Sequence, residues 1–109
     1  MNAKVIYQPD AHRFLESIED SAREKILFNI KKVRLAVTDS TLFKKLKGTD
    51  IWEFRTLHAG NCYRIFAFWD TRTDTLIVAT HGLVKKTQKT PIKEIERAEA
   101  LRKEYFMNN

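Results

Sequence analysis

The period of the hydrophobic positions changes three times along the chain, and each change marks a new kind of element. Lys4 to Gln8 (Lys-Val-Ile-Tyr-Gln) reads as a short strand stopped by Pro9. Phe14, Leu15 and Ile18 then share one face of a helix for which Asp10 is the expected cap. Ser21-Ala-Arg-Glu24 has the form of a capping box, in which the serine hydroxyl and the Glu24 carboxylate each satisfy a free amide. It predicts a break near Asp20 and a second helix, along which Ile26, Ile30, Val33 and Val37 recur at four, three and four residues. Thr38 to Thr49 is expected to be an ordered loop. Ile51 to His58 and Cys62 to Trp69 are rich in aromatic and β-branched residues and are joined by Ala59-Gly60-Asn61, a hairpin signal. A turn around Asp70 to Asp74 leads to a third strand, Leu76 to His81. Thr90-Pro91 opens a final helix running to about Tyr105, with Ile92, Ile95, Ala98 and Leu101 facing inward.

Strands and helices in this order do not alternate strictly, which predicts an α+β domain rather than a doubly wound one. Its parts are an N-terminal strand and helical hairpin, a three-stranded antiparallel meander and a C-terminal helix. The meander's connections are too short for parallel crossovers. Residues 1–109 are expected to form a single domain, since about 100–150 residues is the usual size of one. The helices are expected on one face of the sheet, with part of the other left open.

Charge sharpens this picture. The net charge is +6 and the pI about 9.6, so the surface attracts polyanions: nucleic acid, an acidic protein or an anionic membrane. The longest apolar run, Ile65 to Trp69, is far shorter than the roughly 20 residues that cross a bilayer. Lys4 and Pro9-Asp10 interrupt the first ten residues, so no secretory signal is read there. The single cysteine, Cys62, has no partner for an internal bridge, which suits a reducing compartment, and a cytoplasmic protein is expected. Metal-ligand spacing, a Gly-rich phosphate loop and a nucleophile elbow are all missing, so neither a metal nor another cofactor is expected.

The residues that can carry chemistry are the cations in and around the meander. Strand alternation puts Glu53 and Arg55 on one face, with Trp52 and Phe54 on the other. Arg64 follows on the next strand. Charged side chains within aromatic strands are costly to bury unless paired, so an internal bridge from Glu53 to Arg55 or Arg64 is one reading. The other is phosphate binding, since a guanidinium presents a planar fork and stays charged. Both hold together if Glu53 orients an arginine that still reaches substrate. Lys44, Lys45 and Lys47 precede the hairpin, and Lys85, Lys86 and Lys89 follow its last strand. Each run alone reads as a solvated loop; placed around the meander they suggest one anion-binding surface. His12 is expected at the surface, while His58 and His81 lie at strand ends, where a histidine is more often structural than catalytic.

The succession Phe43-Lys-Lys-Leu-Lys-Gly48, Ile51-Trp-Glu-Phe-Arg55, Tyr63-Arg64-Ile-Phe and His81-Gly-Leu-Val-Lys-Lys-Thr-Gln-Lys-Thr-Pro91 resembles the RelE/HigB branch of the RelE/ParE toxin superfamily, closest to its phage-derived subgroup. The resemblance covers nearly the whole chain and rests on the order and spacing of the motifs. It implies a RelE-like toxin fold and the toxin of a type II toxin-antitoxin system, a metal-independent endoribonuclease that cuts mRNA on the ribosome. It also implies an antitoxin partner carrying a helix-turn-helix domain, and no membrane partner. By the same resemblance, Arg55 and Arg64 bind the scissile phosphate and stabilise transition-state charge. Lys86 and Lys89 contact phosphate or protonate the leaving group, and Lys45, Lys47 and Lys85 bind RNA. The tyrosine or histidine that several relatives place near the C-terminus is matched here only by Tyr105, on a helix, so the general base is unassigned. The alternatives are a ParE-like inhibitor of DNA gyrase and a basic binding module without catalysis.

Overall fold

Residues 3–35, 39–72, 76–85 and 89–108 are described by a computed structural model. The chain runs β1 (Lys4–Tyr7), α1 (Pro9–Ser17), α2 (Asp20–Arg34), β2 (Phe43–Lys45), β3 (Trp52–His58), β4 (Asn61–Asp70), β5 (Leu76–Lys85) and α3 (Ile92–Asn108). The sheet order is β1-β5-β4-β3-β2; β1 pairs parallel with β5, and the other pairs are antiparallel. The β3–β4 turn has two residues, Ala59 and Gly60, at φ of 51° and 79°. Both φ values are positive, as a type I′ hairpin turn requires.

Two apolar layers flank the sheet. On one face Ala11, Leu15, Ala22, Ile26 and Ile30 of α1 and α2 bury against Phe54, Tyr63, Ile65, Ala67, Ile77 and Ala79. On the other, Ala98 of α3 packs with Leu46, Ile51, Phe66, Phe68 and Val78. Helices therefore cover both faces, not one as expected. A β-bulge lets β5 serve both layers: Phe66 opposes His81 but Ala67 opposes Ala79, leaving Thr80 as the extra residue. Ala79 thus reaches the α1–α2 layer while His81, two residues on, faces α3. Gly82 returns to the first face, where the Phe14 ring lies so close that an added Cβ would sit 2.1 Å from it.

Several local expectations are corrected. The segment read as a loop contains β2, because Phe43, Lys44 and Lys45 pair with Phe54, Glu53 and Trp52. α1 starts at Pro9, with Gln8 rather than Asp10 at its cap position; the Asp10 carboxylate pairs with Arg13 and Arg97 instead. The break before α2 stands where Ser21 suggested, but no side chain caps the helix, and the Ser21 hydroxyl sits 3.2 Å from His58 Nε2. Ile92 is 69% exposed although Glu94 and Ile95 in the same turn reach His81 and the core under α3; the inward face continues to Tyr105 and Phe106.

Candidate anion-binding site

Cross-strand pairing builds the site as rows of side chains on the α3 face of the sheet. Lys44, Glu53, Phe66 and His81 form one row. Arg55, Arg64 and Leu83 form the next, and Leu57, Cys62 and Lys85 the third. α3 packs against Phe66, Phe68, Val78, Leu76 and Leu83, which leaves the end of the face bearing Lys44, Arg55, Leu57 and Lys85 beyond its cover. Lys44 and Leu57 are exposed, and Arg55 and Lys85 half-buried.

Glu53 is the hub. Its side chain is 1% exposed, with Oε2 3.3 Å from Arg64 Nη1 and Oε1 3.5 Å from Arg55 Nε. The Thr90 hydroxyl, just before α3, donates to Glu53 Oε2 at 2.8 Å and accepts from Arg64 Nη1. Arg64 itself is wholly buried. One buried carboxylate therefore neutralises an interior arginine and orients a second that reaches the surface.

The expected site residues separate accordingly. Arg55 and Lys85 come together on the open end of the face. Arg64 does not reach it: enclosed between Glu53 and Thr90, it is not placed to touch a phosphate. Lys89 is exposed and lies next to Thr90, so its backbone is anchored above the same buried pair. Lys86 lies outside the described residues. Lys45 opposes Trp52, and strand alternation turns it to the opposite face from Arg55. Lys47 belongs to the turn between β2 and β3, about four strand residues or roughly 13 Å beyond Arg55, so it is not brought to that end either. Lys44 is the cation that joins Arg55 instead. Recognising Phe43–Lys45 as a strand would have selected it by its two-residue alternation.

Neither of the two histidines expected at strand ends faces Arg55 in the open, and His81 lies in mid-strand because β5 continues to Lys85. His81 is 2% exposed, stacked on Phe66 at 4.8 Å between ring centroids, with Nε2 3.1 Å from Glu94 and Nδ1 3.0 Å from the Thr80 hydroxyl. Burial, then the nearby Arg97 charge, lowers its pKa against the opposing pull of Glu94. His58 lies on the α1–α2 face, 3.5 Å from Glu19. His12 is exposed beside Glu16, as expected. The Tyr105 hydroxyl donates to Asp70 at 2.7 Å, and the Arg72 guanidinium holds the same carboxylate at 3.0 and 2.9 Å. These bonds, from Arg72 first, hold the Asp70 carboxyl well below the usual range. They pin the end of α3 far from Arg55. Among the described residues no group of His, Cys, Asp and Glu is arranged to hold a metal ion, and no helix is long and apolar enough to cross a membrane.

With this geometry in hand, the chain compares with known proteins as follows. The sequence model of the family described as phage derived protein Gp49-like (DUF891) matches residues 13–103. No curated protein matches the sequence. Among solved structures, a doubly substituted E. coli toxin RelE in the free state superposes with a TM-score of 0.66 at 14% identity, covering 94% of this chain and 98% of that one. The RelBE2 toxin-antitoxin complex from Mycobacterium tuberculosis contains a chain that superposes with a TM-score of 0.60 at 15% identity, covering 75% of this chain and 96% of that one. The fold is that of the RelE toxins.

Proposed function

The chain belongs to the phage-derived Gp49-like family, and from that premise we propose that it is the toxin of a type II toxin-antitoxin pair, an endoribonuclease that cuts mRNA on the ribosome. The observation that carries this reading is the open end of the sheet face, where Arg55, Lys44 and Lys85 gather over a single buried carboxylate already occupied by Arg64 and Thr90. Arg64 inside the protein already balances the Glu53 charge, so the end of the face bearing Arg55, Lys44 and Lys85 carries a positive balance that attracts an external polyanion.

In this proposal Arg55 binds the scissile phosphate through its planar guanidinium. Glu53 fixes its direction, and Arg64 acts as a positioning residue through Glu53. Lys85 and Lys44 track the neighbouring phosphates, while Lys86 and Lys89 keep the roles of phosphate contact or proton donor to the leaving 5′-oxygen. The ribose 2′-oxygen attacks the adjacent phosphorus as its proton passes to solvent water. The P–O5′ bond breaks, the 5′-oxygen takes up a proton, and a 2′,3′-cyclic phosphate remains. Fixed cations act on the extra negative charge of the crowded phosphorus, the step at which preorganised charge is worth most. The proposed partner is a cognate antitoxin with a helix-turn-helix domain, and the proposed location is the cytoplasm.

The test is induction of the chain in cells lacking the antitoxin, with mRNA 5′ ends mapped within minutes. New ends within translated frames, lost with Arg55→Ala, are the expected result. Growth arrest with intact mRNA and gyrase-linked DNA damage would overturn the ribonuclease in favour of a ParE-like gyrase inhibitor. No arrest would favour a basic binding module.

A further inference from the structure

Beside Arg55 lies a cleft of about 400 Å³ lined by Ser40, Thr41, Lys44, Arg55, Leu57 and Cys62. That volume falls within the range of small-ligand sites, about 300–1,000 Å³. We propose that this cleft is a nucleobase pocket, seating one unpaired base of the RNA next to the phosphate held by Arg55, so that its walls set which sequences are cut. The proposal rests on the reading of the chain as an RNA-cutting toxin and adds the source of its base preference.

The composition of the walls separates a base from a bare phosphate. A phosphate needs only the cations. The floor, however, is apolar: Leu57 stands out of the sheet 64% exposed, with the buried Cys62 opposite it across β3 and β4. This large aliphatic side chain stands in the open two residues beyond Arg55 on β3, and a flat base laid on it would take its apolar area out of water. The rim is polar in the way a base edge requires. Ser40 offers a hydroxyl, and Lys44 a charged donor.

The rim is also built before any ligand arrives. The Asp39 carboxylate accepts from the Thr41 amide at 2.9 Å and from its hydroxyl at 2.6 Å, so the Thr41 oxygen keeps its lone pairs for a donor on the base. These two bonds, the hydroxyl first, hold the Asp39 carboxyl below its ordinary range. The turn is tied down by Leu42 and Phe43 amides donating to Asp39 O at 3.0 and 3.1 Å. It is fastened to β3 by the Arg55 amide donating to Leu42 O at 2.8 Å. The backbone of Arg55 and the rim of the cleft are therefore tied directly to each other, which is what reading a base at a fixed distance from a cut requires.

Two measurements test this. First, the full chain, labelled with ¹⁵N, is titrated with the four ribonucleoside 3′-monophosphates. The expected result is amide shifts at Ser40, Thr41, Leu57 and Cys62, and affinities that spread at least about fivefold among the four bases. Leu57→Ala, a surface change that keeps the folded spectrum, should weaken the best of the four by at least about threefold. Equal affinities, or shifts confined to lysines elsewhere, would overturn the pocket and leave a phosphate surface only. Second, 5′ ends are mapped in cells expressing the wild type, Leu57→Ala or Ser40→Ala. A changed base distribution beside the cut supports the pocket; cuts with an unchanged distribution overturn it while leaving the ribonuclease standing. If the wild type makes no cuts, the ribonuclease reading falls, and the nucleotide titration alone decides whether the cleft takes a base.

Discussion

Neutralising Glu53 should be among the most damaging single changes to the fold. Glu53→Gln keeps the shape of the side chain but leaves the Arg64 guanidinium, 0% exposed, without its counter-charge, and removes the anion 3.5 Å from Arg55. Removing one partner of a buried pair costs about 3–5 kcal/mol, because the remaining charge stays desolvated. Unfolding entropy of about 2.1 cal/mol/K per residue over 109 residues makes each kcal/mol worth about 4 °C, so Tm should fall by about 12–20 °C. Against a typical total of about 5–15 kcal/mol this is a large share of the stability. Replacing both partners, Glu53→Leu with Arg64→Met, removes the stranded charge, and the double variant should be more stable than Glu53→Gln, with a coupling of at least about 2 kcal/mol between the sites. Urea unfolding followed by the fluorescence of Trp52 and Trp69, both in the sheet, measures each value. A Glu53→Gln cost below about 1 kcal/mol, or strictly additive effects in the double variant, would refute the claim that this carboxylate is the electrostatic hub. The double variant should remain non-toxic although folded, since the Glu53 carboxylate no longer orients Arg55.

Three further outcomes are expected. Gly82→Ala should destabilise the chain by about 1–3 kcal/mol, as the new methyl meets the Phe14 ring and forces α1 off the sheet; Phe14→Leu in the same chain should recover part of the loss, measured by urea titration. Because burial lowers the folded-state pKa of His81, the unfolded chain takes up a proton near pH 6.5 that the folded chain resists. The stability due to this group is therefore complete above about pH 6.5 and is lost as pH falls from there toward the lower folded pKa; His81→Gln should flatten that part of the Tm–pH curve. Lys44→Ala, Lys85→Ala and Lys89→Ala should each reduce the slope of log K against log salt for single-stranded RNA by about 0.7, the loss of one phosphate contact, whereas Lys45→Ala, on the opposite face, should leave the slope unchanged.

What could be read from the sequence followed the range of the forces involved. The helical stripes Leu15–Ile18 and Ile26–Ile30, and the Ala59-Gly60 hairpin, are set by neighbours a few residues apart, so periodicity found them. β1 joins β5 in parallel across some seventy intervening residues, a pairing with no local signal. β2 is only three residues long, Phe43–Lys45, too short for an alternation to stand out from a lysine-rich stretch. Without that strand, nothing along Lys44, Lys45 and Lys47 separates the two faces on which Lys44 and Lys45 lie. Ile92 shares the inward period of Ile95 and Ala98 yet stays exposed, and the bulge at Thr80, which turns His81 toward α3 and Glu94, depends on the pairing of two strands.

The same distinction applies to the motifs that carried the family resemblance. Tyr63-Arg64-Ile-Phe and the closing Lys89-Thr90-Pro91 look like chemistry when read along the chain, because they hold an arginine and a basic run. In three dimensions Arg64 and Thr90 meet at Glu53, inside the protein, and lock the start of α3 to the middle of the sheet. An arginine spaced two residues from a cysteine in an apolar strand therefore answers a structural demand: a carboxylate buried to aim Arg55 needs a second cation to hold it ionised out of water. The surface end of the network is Arg55, and only there can the charge act on something outside the fold. Stability and site geometry thus share one hub, which is why changes at Arg64, Thr90 or Arg55 must be scored for folding before any loss of toxicity is ascribed to catalysis, whereas changes at the exposed Lys44 test the proposed surface with little cost to the fold.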